Sequence, residues 1–230
     1  MDKHIQLKFI RSIGIINKNI VLVVILSALP LATLPFVTQE NPAYGLLALE
    51  FLAILFITPL IYGRFYEGVR CDTTSGWRGL FKQHWWNYTL VSFILALPYS
   101  ALFIFGIHKM AAANAILAAI IEVVTLYVMP LVFITRQRIP AIVSGITCLF
   151  DNLQYSIPLI VIALAMSCIS ALMHAYILEP LQGSALISAN FLWSLIMYYI
   201  DVAVFATATI IVLEDKRFQY LVPVSNREDA

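Results

Sequence analysis

The chain has 230 residues, 61% of them hydrophobic and 12% charged, with a net charge of +1. A soluble domain is about 45–50% apolar and about 25% charged, so 14 basic and 13 acidic side chains cannot cover a surface built from this composition. A soluble enzyme, a disordered chain and a nucleic-acid binder are excluded, and an integral membrane protein remains.

Hydrocarbon offers the backbone no hydrogen-bond partners, so a crossing helix needs about 20 mostly apolar residues. Six stretches qualify: 19–37, 44–63, 87–107, 112–134, 155–176 and 188–213. The connections 38–43, 108–111 and 177–187 are short, whereas 64–86 and 135–154 are long. The predicted fold is an all-α membrane bundle of six transmembrane helices, forming a single membrane domain over 1–230. Its hairpin units are 1–63, 64–134 and 135–213, with a tail at 214–230.

Thirteen of the 14 Lys and Arg residues fall in the N-terminal segment, the two long connections and the tail, and only Lys109 falls on the other side. By the positive-inside rule both termini and both long connections are cytoplasmic.

Each unit is expected to open with a cytoplasmic amphipathic helix lying in the interface. Ile5, Phe9, Ile13 and Ile16 form the first apolar face, and Ile142, Ile146, Leu149 and Phe150 the third, with Pro140 in the first turn. In the second, Trp77, Leu80, Phe81, His84 and Trp85 recur at helical spacing while Arg78 and Lys82 share another face. Trp77, Arg78, Lys82, Trp85 and Trp86 are the candidate lipid-interface residues, with rings at headgroup depth and cations beside anionic lipid. The lipid bilayer is therefore one expected partner.

An internal repeat is also visible. At an offset of 68, Asn19 falls on Asn87, and Ala28-Leu29-Pro30 on Ala96-Leu97-Pro98. Thr58-Pro59-Leu60 and Met129-Pro130-Leu131 are placed alike near the ends of the second and fourth spans. The third unit repeats the layout without the matching prolines. Pro30, Pro35, Pro59, Pro98 and Pro130 lie inside spans, where each removes a helical hydrogen bond and predicts a kink.

The run Val128-Met129-Pro130-Leu131-Val132-Phe133, then Arg136, Pro140-Ala141-Ile142, an amphipathic stretch and Asp151-Asn152 before a new span, resembles a family of six-span bacterial inner-membrane proteins of mostly unassigned function. A related domain forms the membrane part of some glycerophosphodiester phosphodiesterases, whose catalytic domain has no counterpart here. The resemblance implies a multi-pass scaffold or transport-like protein of a bacterial plasma membrane, and no catalytic residues come with it.

Nucleotide-loop, zinc-protease and nucleophile-elbow motifs are all absent from the sequence. His4, His84, His108 and His174 lack metal-ligand spacing and read as amphipathic boundary residues. Cys71, Cys148 and Cys168 are odd in number, without a CxxC pair, and read as inert reduced thiols. No cofactor or metal is expected.

The exception to this blandness is three acids inside spans, Glu50, Glu122 and Asp201. Each lies 13 residues before the expected inward end of its helix, at Gly63, Thr135 and Glu214. That spacing is roughly 20 Å along a helix axis and puts all three at one level. An acid in hydrocarbon costs about 2.5–3.5 kcal/mol on insertion scales, so each must be protonated, face water, bind a cation or take hydrogen bonds. Thr125, Tyr127, Tyr198 and Tyr199 are the nearby donors.

The first functional expectation is a non-enzymatic scaffold, envelope-maintenance protein or accessory subunit of a membrane complex, with a membrane-protein partner. The alternative is a small proton- or cation-coupled carrier using the three acids. A lipid-modifying enzyme ranks third, for want of an acid–histidine constellation on the cytoplasmic side.

Overall fold

The structure is a computed structural model that describes residues 3–32, 44–71, 75–104, 111–178, 180–181 and 183–214. The helices among them are α1 (Lys3–Lys18), α2 (Ile20–Ala28), α3 (Tyr44–Arg70), α4 (Trp77–Ile104), α5 (Ala111–Val124), α6 (Val128–Thr135), α7 (Ile139–Asp151), α8 (Leu153–Met173) and α9 (Gly183–Glu214). Among the described residues, three stretches are long and apolar enough to cross a membrane: 52–70, 156–178 and 183–214. The pair α1–α2, bent by 75°, makes a fourth if it is one broken span.

The centre of the molecule is the second half of α9. Val202, Ala203, Phe205, Ala206, Ala208, Ile210 and Val212 are all buried, with Thr207 and Thr209 between them. A helix buried on every face must be surrounded, and α1, α2, α3, α6 and α8 do so. Thr207 and Thr209 return their hydroxyls to the carbonyls four residues back, which makes them tolerable in an apolar core.

Ser12 of α1 also reaches Thr207, at 2.9 Å. Lys8 and Arg11 meet Glu214 at the end of α9, and Arg11 donates to the Val69 carbonyl of α3 at 3.2 Å. Thus α1 packs Ile5, Ser12 and Ile16 against protein and leaves Leu7 and Ile10 exposed. On α7, Ala141, Gly145, Cys148 and Leu149 turn inward while Ile139, Val143 and Phe150 face out. Both amphipathic helices are therefore apolar on two sides, one toward the protein and one away from it.

The joints between these helices and the next are alike. Asn19 has φ −123° and ψ 25°, and Asn152 has φ −123° and ψ 29°. Each donates its amide to the carbonyl four residues back, Ile15 and Cys148, at 3.1 Å. At the offset of 133 that relates them, Ser12 and Gly145, Ile16 and Leu149, Val23 and Ser156, and Leu26 and Leu159 are buried in pairs.

The expected joint at Asn87 is absent. The helix runs unbroken from Trp77 to Ile104, so residues 77–86 are the first turns of α4, not a separate interfacial helix. Asn87 is occupied elsewhere, its amide donating to the Arg136 carbonyl at 2.8 Å and accepting from Arg138 Nε at 2.9 Å.

Two further boundaries need correction. The second apolar stretch does not end at Gly63, because α3 continues to Arg70. Its last turns bury Phe65, Tyr66 and Val69, and Arg64 bonds Glu67 at 2.8 Å. The fourth stretch is divided at 125–127, where Leu126 N reaches back only to Val123 O and Val128 N to Thr125 O. Pro130 lacks the N–H that would continue the ladder and crowds the carbonyl four residues earlier.

Pro59 and Pro98 sit inside helices assigned as continuous, and the chain around Pro30 tightens to a 3₁₀ turn at Leu29–Ala32. Pro35 lies outside the described residues.

Candidate functional site

Two of the three acids singled out from the sequence share a cavity. It has a volume of about 270 Å³ and is bounded by α3, α4, α5, α6, α8 and α9. Glu122 comes from α5 and Asp201 from α9, and the walls between them include Tyr62, Tyr88, Met166 and Phe205. Both acids line the cavity and are exposed rather than packed into the core. Glu50 is on α3, but its side chain lies outside the described residues. The equal spacing of the three acids from helix ends does not carry over: Gly63 lies inside α3, and the break at 125–127 separates Glu122 from Thr135.

Each carboxylate takes one hydroxyl from a neighbouring helix. Tyr62 of α3 donates to Asp201 Oδ2, and Ser167 of α8 donates to Glu122 Oε2. The Tyr62 ring is held edge-on against Phe205 at 4.8 Å and tilted against Tyr88 at 6.3 Å, which fixes the phenol beside the acid.

Three of the four donors expected from the sequence are engaged elsewhere. Thr125 bonds the Ile121 carbonyl, Tyr127 meets Ser156 at 3.0 Å, and Tyr199 bonds Asn17 at 2.9 Å. The acids' partners come from across the bundle and not from their own helices. The only available signal was that Tyr62 and Ser167 are polar groups inside apolar runs.

The cavity can hold a positive charge. Two acids, three tyrosine or phenylalanine rings and the thioethers of Met129, Met166 and Met197 face one space, and negative ring faces and carboxylates attract cations alike. The helix break at 125–127 follows Glu122 by one turn and leaves backbone groups outside the regular ladder beside the cavity. Among the described residues, no group of three or more His, Cys, Asp or Glu is placed to hold a metal ion.

The candidate interface residues lie together at the charged end of the bundle. Trp77 and Trp86 are 48% and 50% exposed. Arg64 lies 4.7 Å from the Trp77 ring, and Arg138 lies 5.7 Å from Trp86. Arg78 and Lys82 are exposed, while Trp85 stacks with Phe81 and Phe56 at 5.0 Å.

His84 is not a boundary residue. It is buried among Tyr66, Phe133 and Leu80, beneath Gly63. Loss of hydration, together with the nearby Arg136 charge, pushes its pKa down to about 4. The other histidine side chains lie outside the described residues.

Cys71 and Cys168 are exposed free thiols and Cys148 is buried. Burial, with Asp151 adding to it, raises the Cys148 thiol to about 12 and leaves it unreactive.

No family model, curated protein or solved structure matches this chain.

Proposed function

We propose that the chain is a non-enzymatic, six-span protein of a bacterial plasma membrane that binds a proton or small cation in the cavity between Glu122 and Asp201, as a carrier does. The observation that carries this reading is the convergence of two acids from different helices on one space. Acids serving only as helix-to-helix glue have no need to share a cavity.

The six crossings add α4 and the broken α5–α6 pair to the long apolar helices. At about 1.5 Å per residue, the part of α4 from 87 to 104 is about 27 Å long, close to the hydrocarbon thickness, with 77–86 outside it. Cytoplasmic placement of both long connections is supported by their meeting at one end of the bundle. Arg11, Val69 and Glu214 are joined there, as are Gln83, Asn87, Arg136 and Arg138. The matched joints at Asn19 and Asn152 support a repeat between the first and third units. Similarity in layout to the six-span bacterial family agrees with this placement.

A scaffold role is the second reading. Its support is the flank of α8, where Ile157, Val161, Leu164, Ile169 and Leu172 are exposed and could meet lipid or another membrane protein.

Proteoliposomes loaded with a pH-sensitive dye separate the two. The carrier reading expects cation-dependent proton movement that Glu122→Gln and Asp201→Asn each abolish, with protein levels unchanged. Gln and Asn keep hydrogen-bonding capacity but cannot ionise. Flux absent across a series of alkali cations and small amines, together with stoichiometric partners on native co-purification, would favour the scaffold.

A further inference from the structure

We infer that the charged end of the bundle carries a binding site for the phosphate of an anionic phospholipid, built from Arg136, Arg138, Lys82 and Trp86. The site is separate from the acid-lined cavity and does not depend on what that cavity binds.

Geometry fixes the two arginines. Arg136 ends α6 in a left-handed conformation, φ 56°, with its N–H on the Val132 carbonyl at 3.0 Å. Its carbonyl is held by Asn87 Nδ2 and its guanidinium donates to Gln83 Oε1 at 3.2 Å. Arg138 Nε donates to Asn87 Oδ1 at 2.9 Å, with the guanidinium over Trp86. One asparagine amide thus grips both arginine residues.

The acceptors chosen for these guanidiniums are neutral amides. Among the described residues, ion pairs are formed by Lys8 and Arg11 with Glu214 and by Arg64 with Glu67, and none reaches Arg136, Arg138 or Lys82. Two oriented guanidiniums with N–H groups to spare and no ion pair among the described residues are suited to a phosphate, which accepts such forks in two parallel bonds. Lys82 is exposed one helical turn before Trp86 and adds a third positive charge.

Position selects a lipid over a soluble phosphate. The arginines follow the end of an apolar helix and lie beside an exposed tryptophan, the combination of cations and amphipathic rings that marks the headgroup level. Immediately after Arg138, Ile139 and Val143 turn outward, 62% and 59% exposed, and offer an apolar track for an acyl chain. A bound lipid would tie α4 to the α6–α7 connection that Asn87 already bridges. Basic pockets between helices on the cytoplasmic side take anionic headgroups for these reasons.

The test uses the full chain purified in detergent, with phosphatidylglycerol, phosphatidylcholine and inorganic phosphate as probes. Phosphatidylglycerol should be retained in native mass spectra and raise the unfolding temperature, and phosphatidylcholine and inorganic phosphate should do neither. Arg136→Gln with Arg138→Gln should weaken phosphatidylglycerol retention roughly tenfold or more, whereas Lys18→Gln should leave it unchanged. A second measurement does not require the double variant to fold. In wild-type vesicles, spin-labelled phosphatidylglycerol should quench Trp86 more than spin-labelled phosphatidylcholine, and Trp86→Phe should remove the difference. Equal quenching by the two lipids, or a thermal shift given equally by inorganic phosphate, would overturn the assignment.

Discussion

His84 shows how far one side chain can depart from its sequence context. Polar neighbours and an aromatic stretch suggest a wet boundary, yet the ring is buried beneath Gly63 between Tyr66 and Phe133. Its pKa of about 4 lies below the ordinary value of 6.5, so the folded state holds it neutral while the unfolded state takes up a proton. The stability this gives is present above pH 6.5 and is lost as pH falls toward 4, by about 3 kcal/mol at most. A unfolding-temperature profile from pH 7.5 to 4 should therefore flatten in His84→Phe relative to the parent. Parallel profiles would show that His84 is hydrated. The acids at the cavity present the opposite case. Glu122 and Asp201 were legible because ionisable residues are rare inside apolar runs. Tyr62 and Ser167 were not, because the rotation of one helix relative to another is absent from a one-dimensional pattern.

At the scale of elements, helix ends separate what the sequence reveals from what it hides. The charge at Arg64 suggests the end of a span, but an i,i+3 pair with Glu67 carries α3 two turns further. Asn19 and Asn87 look equivalent in sequence, yet the joint is shared by Asn19 and Asn152. The deciding factor is tertiary: Asn87 spends its amide on Arg136 and Arg138, while the other two turn back on their own helices. Close packing gives a sharp prediction here. A Cβ on Gly145 would lie 2.7 Å from Val128 Cγ2 and 2.8 Å from its Cα and N. Main chain cannot rotate away as a side chain can, so Gly145→Ala should cost about 1–3 kcal/mol in chemical unfolding. Gly14, in the interior of α1, has nothing within 4 Å of that position. Gly14→Ala should be neutral or stabilising, by up to about 1 kcal/mol. Equal effects of the two substitutions would contradict the packing of α7 on α6.

For the molecule as a whole, the apolar composition and the asymmetric distribution of lysine and arginine already define a membrane bundle with one charged end. The packing order of the helices, with α9 at the centre, was not legible because almost every segment is apolar enough to be central. Orientation can be read with thiols in a Cys148→Ala, Cys168→Ala background. An impermeant maleimide applied to intact cells should label a cysteine introduced at 38–43 and spare Cys71, which should react once the membrane is opened. Cys71 is exposed, so its protection in closed cells would reflect its side of the membrane and not burial.

The central claim is that Glu122 and Asp201 face one cavity that takes up positive charge. Modification by a hydrophobic carbodiimide, located by peptide mass spectrometry, tests it most directly, because the reagent attacks protonated carboxyls in apolar surroundings. The account predicts that both residues are modified at low pH, and that at least one member of a series of alkali cations and small amines protects the two together. Absence of modification at both, or modification that no cation in the series slows, would contradict it.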